Sequence, residues 1–540
     1  MKGKLTELKN EYDWWQKGFT LEQRKDWIIA GAKLDDHGFV AWLRDVKNET
    51  PEWISNYKED YQALSERFKK YGLCQECNRP NTGEQWCQDC NEPRIKKDFA
   101  KWTSHNPKVD AFIQKYQLQA TDADKFLEWI PYEQFTEVEY LAEGGFGKVY
   151  KAQWTKGNIH HWDNDNKQWH QEKDHYYEEE DKQKEDFEEN KDKYKKYKNH
   201  REVVLKSLTN SQENTDFLEE TANHKIIDDW FNNIVPCYGL SQDPQTGNYL
   251  MVMQYIERGD LRKYLKNKNL SFKNKLFRLV NIAQGLKDIH QKNLVHRDFH
   301  SGNILNNDIH SFITDLGLCK PADEINKGGK FFGVLPYVAP EVLNKKGYTP
   351  ASDIYSWGMV AYEVISGLPP YHDLPHNNYL ALKICEGVRP RFRVKIPALL
   401  KDLIERCWDA DPKKRPTANE LNRILNNWVG EVKSQRNTEF FRQFKEREQF
   451  LNNLTSFDYK IHPSAFYTSR RLDFENLPEP QNSKEINEQF YKSQEEFGSS
   501  DISMSGLLDN LPSSEETQQP EQQALQIQPP YSTPSSSKNN

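Results

Sequence analysis

Along the first 70 residues, large apolar side chains recur among charges at helical spacing: Trp14, Phe19, Leu21, Trp27, Ile28 and Trp42. That recurrence predicts a helical region over 1–70. A helical linker is expected over 96–130, ending near Trp129 before Pro131. The period then changes. Glu137 to Trp154 reads as a β-hairpin around glycines. From Thr155 to His200 the chain is a charged insert, acidic at Glu178-Glu179-Glu180-Asp181 and Lys-rich later, with scattered aromatics. A solvated excursion is expected there, since a long loop costs little extra closure entropy. Beyond Arg201 a globular pattern resumes and holds to about Val429, with Val203-Val204-Leu205-Lys206 and Leu250 to Ile256 reading as strands. An extension covers 431–498. The Ser-, Pro- and Gln-rich stretch 499–540 has few large apolar residues and is expected to be disordered.

Composition narrows the classes. With 540 residues, the chain is too long for one ordinary domain. A net charge of −8 argues against a general nucleic-acid or membrane binder. Apolar runs such as Met359-Val360-Ala361-Tyr362 are too short to span a bilayer, and the polar start, Met1 to Glu7, reads as no signal peptide. Four of the eight cysteines, Cys237, Cys319, Cys385 and Cys407, stand singly in apolar surroundings and are expected as buried thiols. An intracellular, cytoplasmic setting is the expectation.

The other four form Cys74-x₂-Cys77-x₉-Cys87-x₂-Cys90 within residues 71–95. Two thiolate knuckles suit tetrahedral Zn²⁺, and so small a segment needs a metal to fold. Four thiolates fill the coordination sphere, so the expected Zn²⁺ is structural. Trp86 and the polar loop Asn78–Gln85 offer a surface for a protein partner. Arg79 is the only strong base there, which argues against nucleic acid.

Three further strings carry chemistry. Leu141-Ala142-Glu143-Gly144-Gly145-Phe146-Gly147-Lys148-Val149 is a Gly-rich turn whose backbone N–H groups can approach phosphates. His296-Arg297-Asp298-Phe299-His300-Ser301-Gly302-Asn303 places an amide five residues after a carboxylate, and Asp315-Leu316-Gly317 adds a second carboxylate. With Lys206 upstream, and with Ala339-Pro340-Glu341, Asp353 to Gly358 and Arg415-Pro416 downstream, these strings resemble the protein kinase family over residues 131–430. Within it they are closest to the tyrosine-kinase-like group of Ser/Thr kinases.

That resemblance implies an α+β bilobal fold, with a β-rich N-lobe and a helical C-lobe, preceded by the helical and zinc-binding regions. It implies ATP with Mg²⁺ or Mn²⁺, and protein substrates. By it, Ala142, Gly144, Gly147 and Val149 line the nucleotide, and Lys206 neutralises phosphate charge. Glu220, or failing it Glu219, pairs with Lys206. Met253 is the gatekeeper, and backbone groups of Gln254 and Ile256 meet the purine. Asp298 takes the hydroxyl proton, while Asn303 and Asp315 hold Mg²⁺. Glu341 pairs with Arg415, and Asp353 braces the catalytic loop. Four residues depart from the pattern: Ala142 where the first Gly of the loop usually falls, His300 where Ser/Thr kinases carry Lys, Val334 where a Thr often stands, and Leu316 for Phe.

The function implied is transfer of the γ-phosphate to protein Ser/Thr hydroxyls in signal transduction. The alternatives are a pseudokinase scaffold, a zinc-dependent adaptor, and a tyrosine or dual-specificity kinase. Lys206→Met is expected to stop transfer and leave the fold intact. From Asp315 to Glu341 there is no Ser or Thr and the only hydroxyl is Tyr337, so a carboxylate of Asp323 or Glu324 is expected to pair with Arg297.

Overall fold

The computed structural model describes residues 10–144, 147–172, 201–208, 211, 217–227, 233–267, 270–322, 324, 331–450 and 460–497. The chain forms two units, residues 1–486 and 487–540. The tail expected to be disordered, 499–540, lies outside the described residues, as do 173–200 of the insert, Gly145, Phe146 and Asp323.

The N-terminal region folds into helices Leu21–Ala30, His37–Asp45, Pro51–Asn56 and Lys58–Tyr71. The first opens on a capping box between Thr20 and Gln23 and closes at Gly31, whose φ of 120° suits only glycine. Trp14, Phe19, Trp27, Phe39, Trp42 and Tyr61 form its core. Leu21, expected inside, is exposed, because only the Trp27 side of its short helix meets the core. Buried Asp36 is satisfied by Tyr61, Ser65 and Lys69.

The last cysteine of the module, Cys90, lies in the helix Gln88–Asp98, and the helix Pro107–Gln119 follows. A six-stranded sheet comes next. Its strands are β1 (Glu128–Trp129), β2 (Phe135–Gly144), β3 (Gly147–Trp154), β6 (Arg201–Ser207), β7 (Cys237–Gln242) and β8 (Tyr249–Gln254), in the order β1-β7-β8-β6-β3-β2. Only β1 and β7 run parallel; the other pairs are antiparallel. The sheet thus reaches back to Glu128 instead of beginning at residue 131.

Between β3 and β6 the insert forms its own hairpin, β4 (Asn158–Asp163) with β5 (Gln168–Glu172). This part is no solvated excursion. Trp169 stacks on Trp86 at 5.6 Å and 24°, and its indole N–H reaches Asp98 at 2.9 Å. Arg94 lies 4.6 Å over the Trp162 ring, and the Ile159 amide donates to Glu128 at 2.7 Å. Trp86 is wholly buried and donates to the Ala120 carbonyl at 3.1 Å, so it offers no surface to a partner.

The helical part centres on Phe272–Gln291, packed against Pro350–Ser366 and Ala418–Ser434. The helix Pro350–Ser366 is punctuated at both ends, with Thr349 and Ser352 capping its start and Gly367 at φ 75° ending it. Three small ladders lie beside these helices: β9 (Leu294–Val295) with β12 (Lys320–Pro321), β10 (Ile304–Asn306) with β11 (Ser311–Ile313), and β13 (Phe331–Gly333) with β14 (Arg470–Leu472). Cys237, Cys319, Cys385 and Cys407 are all buried. Among the described residues, no helix is long and apolar enough to cross a membrane.

Candidate active site

Strand alternation sets Lys206. Val203 and Leu205 turn into the core of the sheet, and Lys206 sits opposite Val149 on one neighbour and Met251 on the other. Its ammonium lies 2.6 Å from Glu220 and 3.0 Å from Asp315. Burial favours the neutral amine, yet the charges of Asp315 and Glu220 outweigh it and hold Lys206 above the usual lysine range. Burial likewise works to raise Asp315, but Lys206 prevails and keeps its carboxylate below the usual range. Glu220 comes from the helix Phe217–Ile227, while Glu219, one residue earlier, turns outward to Lys320.

The same helix fixes the segment after Asp315. Asn223 donates to the carbonyls of Leu316 (3.2 Å) and Cys319 (3.1 Å). Sequence reasoning missed Asn223, because a single Asn in a helix carries no motif. His224, fully buried with Nδ1 3.1 Å from the Val235 carbonyl, is pushed down to about 3 by burial and by Lys206.

On the facing loop, the Asn303 amide donates to the Asp298 carbonyl at 3.0 Å and lies 3.4 Å from its carboxylate. His300 Nδ1 accepts the Gly302 N–H at 3.1 Å, which leaves the ring proton on Nε2, 3.5 Å from Asp298 Oδ2. Asp298 Oδ1 is buried without a hydrogen-bond partner. Arg297 (φ 68°) and Asp315 (φ 61°) both hold left-handed backbone that non-glycine residues resist. Asp353 secures the first of them, accepting from the amides of His296 (2.8 Å) and Arg297 (3.1 Å) and from His290 (2.9 Å). Glu341 and Arg415 form a buried two-point ion pair at 2.6 and 2.8 Å.

Gly144 and Gly147 face each other across the Gly-rich turn, with Ala142 opposite Val149 two positions inward. Met253 and Ile256 are buried. The Gln254 N–H donates to the Pro236 carbonyl at 3.0 Å. Tyr337 is buried, and its hydroxyl is bound to Glu363 at 2.5 Å with Ser301 and Arg262 close by. Arg297 donates at 3.0 Å to the Glu324 backbone carbonyl and not to its carboxylate, contrary to the charge pairing expected; Asp323 lies outside the described residues.

The four module cysteines converge. Their Sγ atoms all lie within 4.8 Å of one another, with Cys74–Cys90 at 3.8 Å and Cys77–Cys87 at 3.6 Å.

Residues 187–425 match the family of protein tyrosine and serine/threonine kinases. Among curated relatives, a probable serine/threonine-protein kinase of Dictyostelium discoideum is 30% identical over 202 residues, 36% of this chain and 15% of the relative. A serine/threonine-protein kinase of Arabidopsis thaliana is 27% identical over 237 residues, 43% of this chain and 41% of its own length. Receptor-interacting serine/threonine-protein kinase 4 of Mus musculus is 28% identical over 321 residues, 56% of this chain and 34% of that relative. The chain spans less than half the length of each of these three relatives. The matched segment begins after the Gly-rich hairpin, which the sheet register nonetheless sets beside Lys206. The chain therefore contains a protein kinase domain, with a β-sheet N-lobe and a helical C-lobe.

Proposed function

We propose that the chain is an active protein kinase that transfers the γ-phosphate of ATP to Ser/Thr hydroxyls of proteins. One observation carries this reading: a buried ammonium, Lys206, is held between Glu220 and Asp315, opposite a loop on which Asp298 and Asn303 are bound together. The residues fit a nucleotide with a hard cation. Asp315 offers carboxylate oxygen, Asn303 has its amide nitrogen occupied so that its carbonyl oxygen is the donor atom, and Asp298 Oδ1 is buried without a partner. Mg²⁺ or Mn²⁺, when bound, supplies charge neutralisation at the phosphates.

The chain's own residues do the rest. Lys206 meets phosphate charge from the sheet, and Glu220 keeps its side chain aimed there. Asp298 orients the acceptor hydroxyl and takes its proton. Asp353 fixes the loop backbone, so little reorganisation is needed when charge develops. A pseudokinase scaffold is the less favoured reading, since Lys206, Asp298, Asn303 and Asp315 are all present. A Ser/Thr preference is supported by the serine/threonine-protein kinases among the relatives, and the tyrosine-kinase-like placement by the string His300-Ser301-Gly302-Asn303.

The cysteine module is read as a structural Zn²⁺ site. A tetrahedron of thiolates with Zn–S bonds of about 2.3 Å has edges of about 3.8 Å, close to the Cys74–Cys90 and Cys77–Cys87 Sγ separations. Radiolabel transfer from ATP, followed by phosphoamino-acid analysis, tests the main proposal with Asp315→Asn as control. Phosphoserine or phosphothreonine absent from the variant is expected. No transfer by the parent, or equal transfer by the variant, refutes it.

A further inference from the structure

The C-terminal extension lies along the activation segment. In the β13–β14 ladder, Arg470 stands opposite Gly333 and Leu472 opposite Phe331. Leu472 is buried in a small apolar pocket with Phe331, Val338 and Val342. The chain just before β14 is fastened as well. Arg262 donates to the Tyr467 carbonyl at 3.4 Å and lies 4.4 Å over its ring, and the Tyr467 hydroxyl donates to the Pro370 carbonyl at 2.9 Å. Arg470 reaches the His376 carbonyl at 2.6 Å.

This register brings the extension to the catalytic loop. A Cβ on Gly333 would lie 3.8 Å from Asp298 Oδ1, so β13 passes directly beside that carboxylate. Arg470 is the residue opposite Gly333, and Ser469 is the next one along. Ser469 Oγ is buried with no hydrogen-bond partner, as is Asp298 Oδ1. An O–H donor and a carboxylate acceptor, both buried and both unsatisfied, are each a free-energy cost that native structures rarely carry without a use. The neighbouring hydroxyls do not compete: Thr468 is exposed and Tyr467 is already bound.

We infer that Ser469 is a phosphoacceptor for this chain's own active site, presented in cis by β14; the inference rests on the chain being an active kinase. Ser469 Oγ forms a bond to the γ-phosphorus of ATP. The bond from that phosphorus to its bridging oxygen breaks, and ADP leaves with the electron pair. The serine proton passes to Asp298 and then to solvent. While β14 holds the edge of β13, that backbone ladder is closed to an external peptide that would add as a strand.

The test incubates the full 540-residue chain with Mg²⁺ and ATP, maps phosphopeptides, and offers casein as an external acceptor. Phosphate is expected at Ser469, with a first-order rate constant independent of chain concentration. Ser469→Ala removes that signal, and casein labelling by the same variant reports an intact centre. Leu472→Asp, which puts a charge in the apolar pocket, is expected to lower Ser469 labelling on the order of tenfold or more and to raise casein labelling. A thermal melt of Leu472→Asp separates release of the strand from general unfolding. Labelled casein with a bare Ser469, phosphate on Thr468 in its place, or a rate that scales with concentration overturns the inference and leaves the kinase reading standing. No transfer to either acceptor by the parent chain overturns the kinase reading itself.

Discussion

Replacing Asp353 with Asn tests whether the catalytic loop is held by one buried carboxylate. Asp353 is 1% exposed and accepts three hydrogen bonds, from the His296 and Arg297 amides and from His290. An asparagine keeps one oxygen and turns an N–H₂ toward groups that only donate. One or two charge-assisted bonds are lost at about 1.5–3 kcal/mol each, and a buried amide is left unsatisfied. Arg297 at φ 68° adds about 1–2 kcal/mol of backbone strain that those bonds restrain. A loss of about 3 kcal/mol in holding the loop converts to a fall in kcat of roughly 10²-fold, at about 1.4 kcal/mol per tenfold. KM for ATP should move little, because Lys206, Glu220 and Asp315 do not touch Asp353. Steady-state kinetics with a thermal melt measure both effects. Adding Arg297→Gly should return about 1 kcal/mol of stability, since glycine adopts that φ freely. A kcat within twofold of the parent refutes the bracing argument. An Arg297→Gly addition that recovers nothing refutes the strain component.

Lys206→Met should abolish transfer, by roughly 10²-fold or more, and, contrary to the intact fold expected from the sequence, destabilise the protein by about 3–5 kcal/mol, because it leaves two buried carboxylates facing each other; chemical denaturation reads the second effect, and an unchanged midpoint contradicts it. His224→Gln should make the protein less acid-sensitive. The native imidazole stays neutral down to about pH 3 while the unfolded one charges near pH 6.5, so its contribution is present above pH 6.5 and is lost by about 1.4 kcal/mol per pH unit below it. Denaturant titrations between pH 7 and 4 that show parallel slopes for parent and variant would refute this. Elemental analysis should find one zinc per chain, and Cys77→Ser should lower it and open the module to protease; unchanged zinc counts against the site.

The residues of the candidate active site were legible because their chemistry is written in short strings of fixed spacing. Lys206, Asp298, Asn303 and Asp315 are singled out by the order and spacing of several such strings taken together. Glu220 was harder, since two adjacent glutamates fit, and only the helix phase separates the one beside Lys206 from the one beside Lys320. The insert hid its hairpin behind charge: Trp162 and Trp169 stand among polar residues, and nothing local says that Trp86, far earlier in the chain, receives Trp169. β14 is three residues long, two of them arginine, and its pairing is decided by the apolar pocket around Leu472.

The stack of Trp86 on Trp169 has a further consequence, for how the molecule comes apart. It ties the cysteine module to a hairpin that begins three residues after the strand Gly147–Trp154, which leads out of the Gly-rich turn. Neither piece can open without baring aromatic surface on the other, so the two should melt together as one cooperative transition rather than in sequence. Nucleotide binding at one end would then raise the melting temperature of the module at the other, a linkage that needs no change of shape.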